Sequence, residues 1–358
     1  MRVLFVFYIS SGGVETLNRH RIKALSKCGI TCHLLYQDTG SGHQNIVNIQ
    51  SYILKQPADI ISLIKKQNYD LIVVCSNHLL LRTIKASGYK GILVYENQGL
   101  GNINQARRYL TKAAPMILHY ADGLLYPKTQ HLANLTTKYL PGLPQFSFHN
   151  CFDLETFHYR SGSPVNLPIV GWVGRIEKNK NWKAFLKIGE RLCQAHPDLK
   201  LWMFIDHTLT KQTQQMQFER MIDRLNLKSR LSVFNSVTND SMAVRLSEIA
   251  DSGGFLCSTS HVEGFGYSLV EAMSCRCPVL STDSDGIKSI IIDDVTGLYY
   301  DHDKIAEAFE KGDRLLRDKG LRNQLTKNAL AHITKMFSPH RYTKEFLNMY
   351  QTLLNITQ

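Results

Sequence analysis

The chain contains no run of about 18 uninterrupted apolar residues, so no segment is expected to span a membrane. Its opening apolar stretch, VLFVFYI at 3–9, is too short for the core of a secretory leader, and no small-residue cleavage pattern follows. The eight cysteines, at 28, 32, 75, 151, 193, 257, 275 and 277, lack the paired C-x-x-C spacing of a zinc or haem site. Several sit inside apolar runs (Cys75 in LIVVC, Cys257 in GGFLC), where a thiol acts as a small hydrophobe. There is no arginine-rich run and no nucleic-acid motif, which argues against a nucleic-acid partner. No segment is low-complexity and no internal repeat is detectable. These absences describe a reduced, cytoplasmic protein.

What is present is enough apolar residue for two cores. The 358 residues are 44% hydrophobic and 20% charged, a length that suggests about two domains. The formal charge of +12 is uneven: residues 1–155 hold 16 basic and 8 acidic groups, and the remainder 26 and 22. A basic first half suits an anionic partner. Short apolar runs alternate with longer amphipathic segments: 3–9, 31–36, 71–75, 92–95 and 123–126, with helical patterns such as Gly13–Lys27 and Pro57–Lys66 between them. Unbroken apolar runs read as buried parallel strands, and the helices between them as right-handed crossovers. SGSPVNLP (161–168) has the composition of a linker, after which the rhythm restarts at 168–174, 201–206, 231–234, 253–257 and 278–281. Two doubly wound α/β domains are therefore expected. The chain is helical in pattern from about 303 onward, with a restart at Ser338-Pro339.

In such sheets ligands bind beyond the carboxyl ends of the strands. Four junctions stand out there. Ser10-Ser11-Gly12-Gly13 offers a close backbone approach and helix N–H groups for an anion, and it equally makes an ordinary tight turn. Gly174-Arg175 and Lys180 place two cations in a loop directly after a strand, a planar fork and a point charge for phosphate oxygens. Taken by themselves, those charges read more readily as solvated surface. SHVEGFGYSLVEAM (260–273) puts Glu263 in a loop before a Gly264-Phe265-Gly266 turn and Glu271 on the helix that follows. Separated by seven residues, the two carboxylates suit hydroxyls at two points along an elongated ligand, with the N–H groups of Tyr267 and Ser268 meeting an anion between them. A capped core helix with one exposed glutamate explains the pattern as well. Asp283 and Asp285, in the fourth junction, read as helix caps.

Taken in order, these segments resemble the family-4 (group 1) retaining glycosyltransferases of the GT-B fold, in which two Rossmann-like domains face a cleft. Gly12-Gly13-Val14-Glu15 resembles the family's glycine loop; His149-Asn150-Cys151-Phe152-Asp153 with Phe157 is similar to the segment that ends its first domain. Gly174-Arg175 with Lys180 resembles its phosphate clamp, Glu263 to Glu271 its E-x₇-E signature, and Thr296-Gly297-Leu298 the turn that follows. The resemblance implies an N-terminal acceptor-binding domain over 1–157, with 341–358 packed back on it, and a C-terminal donor-binding domain over 158–340. It implies that Arg175 and Lys180 neutralise the diphosphate of a nucleotide sugar, UDP-sugar above others. Glu263 would contact the donor sugar and Glu271 the ribose, with Gly12, Gly13, Gly264, Phe265, Gly266, Tyr267 and Ser268 lining the donor site. The implied chemistry is transfer with retention to a glycan or lipid-linked hydroxyl, with no cofactor and no essential metal. The sequence departs from the family where a histidine is usual after the fourth strand of the first domain. Glu96-Asn97 stands there, so one of these two serves the acceptor side or the role is vacant, and a non-catalytic sugar-binding subunit is the alternative. Cys151 and Arg276 replace two usual glycines. The basic first half, Arg107-Arg108 included, points to an anionic or lipid-linked acceptor at the inner face of a membrane, and a solvated helix face accounts for those arginines equally.

Overall fold

The unbroken apolar runs are the strands. A computed structural model describes residues 1–357 apart from 164, 208 and 209, so Pro164 of the expected linker and the Asp285 side chain expected as a cap lie outside the described residues. In the first half, β1 (Arg2–Ile9), β2 (Thr31–Asp38), β3 (Ser51–Ile53), β4 (Leu71–Cys75), β5 (Ile92–Glu96), β6 (Gly123–Tyr126) and β7 (Gln145–Ser147) form a seven-stranded sheet in the order β3-β2-β1-β4-β5-β6-β7. All pairings are parallel. Every residue of LIVVC in β4 is buried, as a central parallel strand covered on both faces requires.

The helices between these strands are α1 (Gly12–Ser26), α2 (Pro57–Gln67), α3 (His78–Ala86), α4 (Ile103–Tyr120) and α5 (Gln130–Tyr139). The strand order steps one way from β1 to β2 and the other way from β3 through β7. Right-handed crossovers therefore put α1 on one face and α2 to α5, side by side, on the other. The apolar stripes of α2 to α5 close a single core with the sheet, including Ile60, Leu81, Leu110, Ile117 and Leu135.

The second half repeats the plan. Strands β8 (Ile169–Val173), β9 (Lys200–Ile205), β10 (Leu231–Asn235), β11 (Phe255–Ser258), β12 (Val279–Thr282) and β13 (Leu298–Tyr300) pair in parallel in the order β10-β9-β8-β11-β12-β13. They alternate with α6 (Trp182–Ala195), α7 (Gln212–Arg224), α8 (Asn239–Asp251), α9 (Tyr267–Ser274), α10 (Ile305–Arg317) and α11 (Lys319–Met336). Both sheets are Rossmann-like, as the alternation of runs and amphipathic segments predicts. The short strands β3, β7 and β13, three residues each, were not among the expected runs.

The last helix, α12 (Pro339–Thr357), returns to the first sheet and packs on α1. Phe346 lies 5.8 Å from Phe5 of β1, ring centre to ring centre. The chain thus divides into Met1–Asp153 with Met336–Gln358, and Leu154–Lys335. These divisions fall a few residues before the expected 157 and 340, because the Phe152 N–H donates to the Phe337 carbonyl at 2.9 Å and ties both segments into the first unit.

Candidate active site

In the second unit, the loop 174–181 after β8 and the loop 259–266 after β11 are stapled together through their backbones. The Thr259 hydroxyl donates to the carbonyls of Lys180 and Asn181 and accepts from the Trp172 indole at 3.0 Å. The Asn179 amide donates to the Val262 carbonyl, and the His261 N–H to the Asn179 carbonyl. Asn181, just before α6, sits at φ +47°, the left-handed region that asparagine tolerates best among residues with side chains. That turn carries Lys180 back toward the second loop.

Lys180 Nζ lies 2.5 Å from Glu263 Oε1, both side chains largely enclosed. These two residues are 83 positions apart, and the structure brings them into a charge-assisted hydrogen bond. A third loop buttresses Glu263. A Cβ on Gly286 would fall 2.0 Å from the Glu263 carbonyl oxygen and 2.7 Å from that of Gly264, so only glycine lets the 285–287 turn press this closely. Thr282 adds a bond from its hydroxyl to the Ser260 carbonyl at 2.6 Å. Gly266, at φ +76°, then turns the chain into α9 and, having no side chain, brings no cap of its own.

The remaining candidates divide by burial. Phe265 and Tyr267 are buried and meet edge to face at 4.9 Å, while Ser268 stays half-buried. Glu271 is enclosed in the body of α9, and its carbonyl accepts from the Ser274 hydroxyl. Arg175, five residues before Lys180, is 44% exposed at its side chain and forms an ion pair with Glu177 at 3.1 Å. Asp283 pairs with Lys288 at 3.5 Å. Arg276, where the family has glycine, adopts φ +60° at the end of α9 and lays its guanidinium over the Tyr159 ring. Reading the sequence missed Thr259 and Asn179, for which only the Asn-Lys-Asn run before a helix hinted at a left-handed turn; Gly286 stood out in the fourth junction as a possible helix start, and its close approach to the Glu263 carbonyl did not.

The first unit holds the other candidates at the carboxyl ends of β1 and β5. Gly12 opens α1 at φ +74°, and a Cβ on it would meet nothing within 4 Å; Gly13 follows. Glu15 in that first turn is buried and bonded to Arg19, and burial pushes its carboxyl pKa up. Glu96 is fully enclosed. Its carboxylate accepts from Arg21 Nη1 at 2.8 and 2.9 Å and from Gln98 Nε2 at 2.9 Å. Arg21 is itself fully buried, stacked 3.8 Å over Phe5, with a second nitrogen on Asn18. Burial disfavours its charge, and the Glu96 carboxylate more than offsets that, so the guanidinium holds its proton more tightly than usual. Gln98 and Asn150 exchange bonds at 2.7 and 3.2 Å, joining the 149–153 segment to the same network. Asn97, next to Glu96, is also buried, and its amide nitrogen has no partner. Of the two acceptor-side candidates, Glu96 is thus engaged in an internal ion pair and Asn97 holds an unused donor.

Among the described residues, no group of three His, Cys, Asp or Glu side chains converges as a metal site, and no helix is long and apolar enough to cross a membrane.

With this geometry in place, the sequence profile described as "Glycosyl transferases group 1" matches residues 153–332, 180 of the 358 residues and essentially the whole second unit. The chain belongs to the group 1 glycosyl transferases. Its curated relatives include a D-inositol 3-phosphate glycosyltransferase of Xylanimonas cellulosilytica, 27% identical over 48% of this chain and 39% of that protein. Another is the sucrose synthase of Melioribacter roseus, 25% identical over 63% of this chain and 29% of that one. The aligned stretches thus span less than half the length of these relatives. Anabaena HepE in complex with UDP-glucose superposes with a TM-score of 0.83, 17% identity and coverage of 98% and 100% of the two chains. A sucrose-phosphate synthase from Thermosynechococcus elongatus gives 0.82, 17% identity and 99% of both chains. At that identity the likeness establishes the fold, the GT-B class of two Rossmann-like domains.

Proposed function

We propose that this protein transfers a sugar from a UDP-sugar, with retention of configuration and without a metal, to a hydroxyl of a glycan, glycolipid or other cell-envelope acceptor. The observation that carries the reading is the Lys180–Glu263 pair in the loops that lead to the N-terminus of α9. A leaving nucleoside diphosphate develops negative charge as the C1–O bond breaks. Lys180, Arg175 and the positive end of α9 are placed to stabilise that charge through fixed dipoles and cations. When the diphosphate claims Lys180, Glu263 is released to accept hydrogen bonds from donor-sugar hydroxyls. The acceptor oxygen then bonds to C1 on the face the phosphate leaves, and its proton passes to the departing phosphate oxygen. Glu271, on the helix body, suits the ribose. HepE, whose structure holds UDP-glucose, and relatives named for inositol phosphate and capsular polysaccharide glycosyl transfer support this choice of donor and acceptor class.

Nucleotide release from a panel of nucleotide sugars, with EDTA present, tests the reading. UDP is expected from at least one UDP-sugar, and Lys180→Ala should lower kcat/KM by about a hundredfold, as for loss of one preorganised charge. A folded wild-type chain that hydrolyses or transfers none of the panel, or one that works only with Mn²⁺, overturns it.

A further inference from the structure

We propose that the outer face of α3, α4 and α5 docks on an anionic lipid bilayer. These three helices contain no Asp or Glu, yet they carry Arg82, Lys85, Arg107, Arg108, Lys112 and Lys138. They lie side by side on one face of the first sheet, with their apolar stripes turned into its core. Only Lys85 is offset, by Asp122 at 3.3 Å. Arg82, Arg107, Arg108, Lys112 and Lys138 are exposed, and none of the ion pairs among the described residues involves them. A solvated helix face ordinarily interleaves both signs; this one has a single sign across three adjacent helices.

Apolar side chains stand among the cations. Leu79 is 57% exposed in the first turn of α3, and Ile103 and Leu118 are about 40% exposed on α4. Leu79 and Ile103 open helices that start just after β4 and β5, so they sit at the carboxyl edge of the sheet, the edge that also holds the 96–99 loop. A duplex nucleic acid satisfies the arginines but offers little to bury leucine and isoleucine. A bilayer surface satisfies both, phosphates for the cations and acyl boundary for the apolar residues. The 96–99 loop, on the same carboxyl edge as Leu79 and Ile103, would then lie at the rim of the docked face.

The test is co-sedimentation of the full chain with vesicles of phosphatidylcholine alone and of phosphatidylcholine mixed with phosphatidylglycerol. Binding is expected only to the mixed vesicles and should weaken with added salt. Each cation near the surface is worth about fivefold, so Arg107→Gln/Arg108→Gln/Lys112→Gln should lose on the order of a hundredfold in affinity. Leu79→Ser/Ile103→Ser should lose about tenfold or more while keeping the salt dependence. All five side chains are exposed, so melting temperatures should match wild type; Lys183→Gln/Lys187→Gln, on the exposed side of α6, should bind as wild type does. Equal binding to neutral vesicles overturns the proposal, as does a triple variant that binds unchanged. So does displacement from mixed vesicles by an RNA duplex at lower concentration than by soluble phosphatidylglycerol micelles.

Discussion

Replacing Glu96 by Gln asks whether that residue meets an acceptor or holds up the first unit. The substitution keeps the side chain's shape and removes its charge, leaving the Arg21 guanidinium fully buried with a neutral partner. Removing one member of a buried ion pair costs about 3–5 kcal/mol, because the remaining charge stays desolvated. Gln retains one acceptor oxygen for Arg21, so the lower end, about 3 kcal/mol, is expected. For a unit of this size each kcal/mol lowers the melting temperature by about 2–4 °C, a fall of about 6–12 °C in all. The three tryptophans, at 172, 182 and 202, lie in the second unit, so their fluorescence follows that unit while far-UV circular dichroism follows both. The dichroism transition should move to lower temperature and the fluorescence transition should stay. Arg21→Met/Glu96→Leu, which removes both charges, should recover much of the loss. A Glu96→Gln protein with the wild-type dichroism midpoint and a raised acceptor KM would refute this reasoning and return Glu96 to the acceptor site.

Glu263→Gln should fall mainly on turnover and Glu271→Gln on donor affinity; initial rates over donor concentration separate the two, and wild-type kinetics in both variants would discard the assignment. Gly286→Ala should cut turnover by tenfold or more, because the added methyl meets the Glu263 carbonyl at 2.0 Å and must displace the loop that aims Glu263. Steady-state rates on protein of unchanged far-UV dichroism check this. His20, buried in α1, accepts the Asp153 N–H, and burial lowers its pKa to about 3 against an ordinary 6.5. The unfolded chain therefore binds a proton that the folded one does not between those values. Stability should be complete above about pH 6.5 and fall by about 1.4 kcal/mol per pH unit below it. Glu15, raised by burial, acts with the opposite sign near pH 4.5, so the urea midpoint of His20→Gln against wild type isolates the histidine: the variant's slope between pH 6 and 5 should be the shallower.

The features legible in the sequence were those written in contiguous residues. LIVVC, ILVY and GLLY announce buried parallel strands, and the E-x₇-E stretch announces a loop-to-helix junction in a single window. Three-residue strands such as Ser51–Ile53 and Leu298–Tyr300 carry no run long enough to register a period. Long-range pairings were equally silent. Nothing in the spacing of Lys180 and Glu263, or of Arg21 and Glu96, says that each pair meets. The two acidic candidates looked alike as letters, yet burial separates them: Glu263 keeps 13% of its side chain exposed beside Lys180, and Glu96 is enclosed on every side. Arg276 shows the reverse case, a residue whose unfamiliarity was visible while its left-handed backbone, φ +60°, was not.

Helix α12 places a time order on the making of this protein. Its Tyr342, Phe346, Met349 and Leu353 complete the face of the first sheet that α1 only partly covers, and the Leu353 methyl groups reach to 3.0 Å of where a side chain on Gly123 would begin. A ribosome delivers the whole of Leu154–Lys335 before it delivers any of these residues. The second unit is thus fully synthesised while the part of the first sheet's face that α12 covers is still open, and the first unit, begun earliest, closes last. Until that closing, the nascent chain carries an open apolar face for as long as it takes to synthesise some two hundred residues, the interval in which a chaperone has its use.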